Sequence, residues 1–175
     1  MVECNEKLRI GVIGVGNIGF VHASSIARGD IQGAVLTALC DCKDDMAQDI
    51  QAHFPGVPFE TDYRKLLQRE DVDAVIVSVP HPMHATVAMA AFEAGKHVLI
   101  DGILVEREEI KPHYRQLLEI LKDNPLDIVE VYCPLDICKK RNIMRGDRYE
   151  TQSDEQHALM AKNIAYRLRV DTSLH

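Results

Sequence analysis

The chain has 175 residues, of which 46 % are hydrophobic and 27 % charged, with a formal net charge of -7. That length holds one domain, or one domain with a small appendage, and the composition is that of a globular protein able to build a sizeable core. The acidic balance excludes a general affinity for nucleic acid or an anionic membrane, and no apolar run is long enough to span a bilayer.

Strands and helices alternate from the start. LRIGVIG is a short apolar run ending in glycine, followed by an amphipathic stretch through Ile26. AVLTALCD predicts a second strand, and KDDMAQDIQAHF a helix whose first-turn acids suit the macrodipole. PFETDYRKLL predicts a short strand and then a brief helix capped by Thr61 or Asp62. DAVIVSVP is a near-continuous Val/Ile run, as in a strand buried on both faces. PMHATVAMAAFEAG is an alanine-rich helix with Pro82 in its first turn and Gly95 at its stop, and KHVLID is the next strand.

Beyond Asp101 the alternation continues. Tyr114, Leu117, Leu118 and Leu121 recur at i, i+3, i+4, i+7, one face of a helix starting near Pro112. LDIVEVYC predicts a strand, and CPLDICKKRNIMRGD a helix opened by Pro134 and stopped near Gly146. Ser153 with Gln156 reads as a capping box for a further helix. YRLRVDT alternates Tyr166, Leu168 and Val170 with Arg167 and Arg169, the pattern of a half-exposed edge strand. With no linker or repeat, the expectation is one α/β domain over 1–175, a three-layer αβα sandwich with a mostly parallel sheet.

The five cysteines are Cys4, Cys40, Cys42, Cys133 and Cys138. An odd count, behind a charged start (MVECNEKLRI) without a signal-peptide core, leads us to expect reduced thiols and a cytoplasmic setting. Cys40 falls in a strand expected to be buried, so it is read as core packing rather than as a metal ligand with Cys42.

GVGNIG places Gly14, Gly16 and Gly19 in the G-x-G-x-x-G register, between a strand and a helix that includes Asn17 and Ile18. The first glycine permits the tight turn, the second lets backbone approach a pyrophosphate, and the third lets helix pack on strand. The helix N-terminus then receives phosphate oxygens. Asp41 ends the second strand about 20 residues on, where a ribose-binding acid is needed. Its carboxylate would repel a 2′-phosphate, so NAD is expected over NADP. SVPHPMH leaves the C-terminal end of the fourth strand, the edge where such sheets bind ligands. His81 and His84 have no acidic or cysteine neighbour there, so they are read as lining a cofactor groove and no metal is expected.

On these pieces, residues 8–100 resemble the N-terminal domain of Gfo/Idh/MocA-type sugar oxidoreductases. The matching segments are LRIGVIGVGNIG, the Asp41 strand end, DVDAVIVSVP, the Pro80-x-x-x-His84 turn and AGKHVL. The resemblance implies a Rossmann-type half in which Gly14, Gly16, Gly19 and Asp41 bind the dinucleotide and Pro80, His81 and His84 flank the nicotinamide side. The family follows GKHVL with Glu-Lys-Pro, whose lysine takes part in proton transfer. Here Ile100-Asp101-Gly102 stands in that place, and the family's large antiparallel sugar-binding domain has no counterpart. Without groups to orient an acceptor, no catalytic residue is assigned.

In the second half, Arg141, Arg145 and Arg148 are spaced i, i+4, i+7, with Lys139 and Lys140 beside them. Guanidinium groups on one helix face suit a polyphosphate, and equally suit a solvated basic face. DGILVEREE, VYCPLDICKKRNIMRGDR, Gln156 and RVDTS make residues 97–173 resemble the C-terminal half of chloramphenicol phosphotransferase-like P-loop kinases. That resemblance implies that Arg141, Arg145 and Arg148 belong to a lid over ATP phosphates. G-x-x-x-x-G-K-[ST] occurs nowhere in the chain, so phosphotransfer is not expected.

AGKHVLID satisfies both families at once, and the leading expectation is a chimera, engineered or recombinant, joined at that strand. It binds NAD(H) in its first half and lacks the machinery for hydride transfer. A structural fold without a ligand and a weak oxidoreductase on a small substrate stand as alternatives. The join removes the kinase strand that would neighbour KHVLID. LDIVEVYC is therefore expected to close against KHVLID, or a second copy to fill the slot, making the chain a monomer or a strand-exchanged homodimer.

Overall fold

Parallel strands carry the first part of the chain. β1 (Leu8–Ile13), β2 (Ala34–Cys40), β3 (Phe59–Glu60), β4 (Ala74–Val77) and β5 (His97–Ile100) form a five-stranded sheet in the order β3-β2-β1-β4-β5. Every pairing is parallel, with one register shift between Ile10 and Gly11 where β1 meets β2. The computed structural model describes residues 6–109, 111–122, 125–145, 151–160 and 164–173, and the chain divides into two units, Met1–Gly102 and Ile103–His175. The first unit is the α/β fold with a mostly parallel, Rossmann-like sheet that the alternation predicted.

The central strands β1, β2 and β4 bury apolar residues on both faces because helices cover both. α1 (Asn17–Ala27) and α2 (Ala47–His53) contribute Ala23, Ile26 and Ile50 to one core, where they meet Val12, Leu36, Leu39 and Ile76. α3 (Tyr63–Leu67) and α4 (His84–Glu93) contribute Leu66, Leu67, Val87 and Ala91 to the other, where they meet Ile13, Ala38, Val75 and Val77. Successive residues of one strand, Val75, Ile76 and Val77, thus alternate between the two cores, as the period of two requires.

Local signals set the helix ends. Asp62, of the two expected caps, accepts the Arg64 N–H at 2.9 Å and starts α3. A 3-10 turn, His81–Met83, holds Pro82 ahead of α4, and Gly95 (φ 71°) follows the helix in the left-handed conformation of a C-terminal stop.

The second unit holds α5 (Lys111–Leu121), β6 (Val129–Tyr132), α6 (Leu135–Arg145), α7 (Gln152–Ala158) and β7 (Leu168–Asp171). Tyr114, Leu117 and Leu121 are buried along the expected face of α5, with Leu118 half-buried beside them. Two expectations are corrected here. β6 pairs in parallel with β7 in a separate two-stranded sheet, so LDIVEVYC does not close against KHVLID. Its ladder partner comes from the far end of the chain, across a helical crossover, because parallel neighbours need one. Ser153 is also no cap: α7 begins one residue earlier, and the buried Ser153 Oγ accepts from Asn142 Nδ2 at 2.6 Å, joining α7 to α6. Among the described residues, no helix is long and apolar enough to cross a membrane.

Candidate functional site

The turn from β1 into α1 lies where the sheet order reverses, with β2 on one side of β1 and β4 on the other. Its glycines answer to different constraints. Gly14 has φ 88°, and a Cβ there would lie 2.7 Å from the Ser78 carbonyl oxygen. A Cβ on Gly19 would fall 1.8 Å from the Gly14 carbonyl oxygen, so only glycine lets α1 start against the turn. A Cβ on Gly16 would meet nothing within 4 Å, so backbone there faces open space.

Gly16 precedes α1, which has no side-chain cap and no acidic residue in its first turn. Its first N–H groups therefore lack a side-chain cap, the arrangement that suits an anion. Gly16, Asn17 and Ile18 are exposed, Ile18 by 51 %. An open cleft of about 290 Å³ is lined by Val15, Gly16, Asn17, Phe20 and Met46. A larger hollow, about 1040 Å³, lies at the opposite edge of the sheet. Three of its charged groups are engaged: Arg9 clasps Asp73 with bonds of 2.9 and 2.6 Å, and Lys96 donates to the Arg69 and Val72 carbonyls, each at 2.8 Å. The smaller cleft is the one with a helix N-terminus.

Asp41 follows β2 and is fixed to the glycine turn. Its Oδ2 accepts the Val15 N–H at 2.9 Å and its Oδ1 accepts the Lys43 N–H at 3.1 Å. The neighbouring Cys40 is buried, and burial, with Asp41 close by, pushes its thiol up to about 12. It packs and does not react. Among the described residues, no cluster of three or more His, Cys, Asp or Glu side chains could hold a metal ion.

The segment after β4 supplies the rest of this edge. His84 is buried, and its Nε2 lies 2.7 Å from the Val79 carbonyl, an acceptor, so Nε2 carries the hydrogen. Burial pushes the imidazole below its ordinary 6.5, and His81, stacked on it with centroids 5.2 Å apart, adds to the effect. His84 is therefore neutral and anchored. Pro80 is exposed beside them. Ser78 Oγ and His81 Nε2 are buried without a hydrogen-bond partner among the described residues, polar atoms of the kind a ligand satisfies. From β5, a Cβ on Gly102 would come 3.4 Å from His84 Cε1, and Asp101 Oδ2 pairs with His22 Nε2 of α1 at 2.9 Å. Sequence reasoning missed Ser78, His22 and the Val15 N–H. Ser78 carried a signal, being at the C-terminal end of a buried strand; the other two are set by approach of distant segments.

The arginines of the second unit do not share one role. Arg141 turns its guanidinium inward to the Thr172 carbonyl, Thr172 Oγ1 (3.3 Å) and Cys133 Sγ (3.2 Å). Arg145 is the last residue of α6, and Arg148 lies outside the described residues. Lys139 is paired with Asp154 of α7 at 2.7 Å.

Comparison with known proteins bears on the first unit. A family of oxidoreductases, Gfo/Idh/MocA, described by its NAD-binding Rossmann fold, matches residues 8–102. An inositol 2-dehydrogenase from Saccharopolyspora erythraea is 38 % identical over 97 residues, which cover 55 % of this chain and 28 % of that protein. An alpha-N-acetylgalactosaminidase from Shewanella oneidensis is 35 % identical over 105 residues, 55 % of this chain and 22 % of that protein. Among solved structures, the WlbA dehydrogenase from Bordetella pertussis, in complex with NADH and UDP-GlcNAcA, has a TM-score of 0.54 at 26 % identity, over 67 % of this chain and 35 % of that one. The chain thus spans about a quarter of the length of the curated relatives it matches.

Proposed function

The chain belongs to the Gfo/Idh/MocA oxidoreductase family with its NAD-binding Rossmann fold, and we propose that its first unit binds NAD(H) and holds it without transferring a hydride. The observation that carries this is the open, uncapped start of α1 at Gly16, with Asp41 tied to the same turn through the Val15 N–H. The pyrophosphate takes the N–H groups of Asn17, Ile18 and Gly19. A carboxylate offers about four acceptor positions, of which Asp41 uses two on backbone, so lone pairs are left for the ribose hydroxyls. The same charge opposes a 2′-phosphate and favours NAD over NADP.

Pro80 and His81 flank the nicotinamide end, and the unsatisfied Ser78 Oγ and His81 Nε2 are polar atoms the cofactor can engage. His84, neutral and bonded to Val79, holds the shape of that segment. When bound, NAD(H) supplies a two-electron hydride couple. β5 ends at Ile100 and runs into Asp101-Gly102, so these positions carry no lysine to move a proton, and the Asp101 carboxylate is paired with His22.

NADH titration, followed by fluorescence or calorimetry, tests the reading. Saturable binding that Gly16→Val abolishes is expected, because the new side chain fills the space in front of α1. No binding at millimolar NADH sinks it. Turnover of NADH with a ketone acceptor, or of NAD with a polyol as hydride donor, would replace the binding module by a weak oxidoreductase. β5 ends its sheet, the position where a second copy can add by strand exchange, and native mass separates monomer from homodimer.

A second reading is favoured by one coincidence: the family match ends at residue 102, where the first unit also ends. In it, residues 103–175 descend from a kinase-like fold joined at β5, and Arg141, Arg145 and Arg148 are what remains of a phosphate lid. It predicts weak, non-hydrolysed binding of ATP to the second unit. A full-length chain blind to ATP and to tripolyphosphate removes its support.

A further inference from the structure

Two cysteines of the second unit, in the stretch CPLDIC, have no part in holding a dinucleotide. Pro134 precedes α6 and its carbonyl accepts the Cys138 N–H at 2.9 Å. Pro134 is thus the N-cap, Cys133 the residue before it and Cys138 the fourth residue of the helix. Helix geometry brings those two positions together, and many helices fill them with a contacting apolar pair. Here both are sulfur. Cys138 Sγ lies 3.5 Å from the Cys133 carbonyl oxygen, and both residues are half-buried free thiols.

One turn further on, Arg141 Nη1 lies 3.2 Å from Cys133 Sγ, and Thr172 holds the same guanidinium through its Oγ1 and its carbonyl oxygen. A fixed cation beside one sulfur of a close pair, at a helix N-terminus, lets that sulfur carry negative charge while it reacts. At Cys138, burial first, then the Cys133 sulfur beside it, pushes the thiol up. The two cysteines are therefore unlike, one placed to attack and one to resolve.

We propose that Cys133 and Cys138 are a peroxide-sensitive modification site that closes to a disulfide, with Arg141 as the positioning residue for Cys133. The Cys133 thiolate attacks the peroxide O–O bond, forming a sulfenic acid and releasing an alkoxide or hydroxide that takes a proton. The Cys138 sulfur then attacks the Cys133 sulfur, and hydroxide leaves with the Cys138 proton as water. Two thiols and one peroxide give one disulfide, one alcohol or water, and one further water.

The test uses the reduced full-length chain and equimolar hydrogen peroxide, followed by trypsin and mass spectrometry. Peptide 123–139 contains both cysteines. It is expected to become two hydrogens lighter, to resist iodoacetamide and to recover with dithiothreitol. Cys138→Ser should stop at a dimedone-trapped sulfenic acid on Cys133. Arg141→Gln should slow closure several-fold, and Arg141→Lys should restore it. The proposal is overturned if peptide 123–139 stays alkylatable while other thiols oxidise, or if the chain in urea closes the pair as fast as the folded one. Wild-type closure rates in Arg141→Gln remove Arg141 from the site.

Discussion

Val12, Leu39, Val75 and Val77 of the first unit have no exposed surface, whereas in the second unit Val131 is 71 % exposed and Leu168 56 %. The first set lies in strands flanked by helices on both faces; the second lies in a two-stranded parallel ladder that leaves these side chains exposed. Around that ladder are polar contacts: Arg169 bonds Glu130 at 2.9 Å and covers the Tyr132 ring at 3.9 Å, and Arg167 pairs with Asp127. Exposed ion pairs stabilise by about 0–1 kcal/mol, and two strands alone are marginal in water. Apolar burial, not strand formation, therefore separates the two regions. The glycine turn is built on the one that has it.

The largest effect should come from Gly19→Ala. Its methyl overlaps the Gly14 carbonyl and no rotamer relieves the clash, so backbone must move. We expect loss of NADH binding together with a destabilisation of about 4 kcal/mol or more, read by thermal unfolding. Retained binding would show that α1 can start elsewhere. Leu39→Ala comes next, at about 2–5 kcal/mol in denaturant unfolding, because it empties a fully enclosed site between β2 and its helices.

A smaller effect follows from pH. His84 in the folded unit binds its proton only below its ordinary 6.5, so the unfolded chain takes one up first as pH falls. The first unit should therefore lose stability between about pH 7 and pH 5, and His84→Gln, which keeps a donor for Val79, should flatten that slope. Arg9 holds the Asp73 carboxyl far below the usual carboxylate range through its side-chain hydrogen bonds. That contribution is present at neutral pH and disappears only in stronger acid. A wild-type profile flat to pH 5 would mean that His84 is hydrated in solution.

The smallest effect is expected at Val131→Ala, within about 0.5 kcal/mol, since that side chain is already largely in water. Amide hydrogens of β6 and β7 should exchange well before those of β1 and β4. Equal protection in both sheets would break the comparison, showing that the second unit gains stability from something other than its own apolar burial.

Much of the first unit was legible in advance. LRIGVIG, AVLTALC and AVIV announce buried parallel strands because residues enclosed on both faces leave few polar positions, and GVGNIG announces its turn because two of its three glycines admit no Cβ. The exposed strands of the second unit were also found, but not their partner. VEVY alternates in a way that fits any neighbour, and nothing local distinguishes β7 from β5 as its ladder. Ser153 looked like a cap because it stood three residues before Gln156, yet Asn142 claims its hydroxyl across two helices.

By itself the sequence determined the element types and the glycine turn between β1 and α1, since each depends on residues near one another in the chain or on strict steric exclusion. Only the tertiary structure decided that Val15 orients Asp41, that His84 faces Val79, that Arg141 turns toward Cys133 and Thr172, and that β6 belongs with β7. Those are choices among several chemically adequate partners. Which partner arrives is set by packing over the whole unit rather than by the residues themselves.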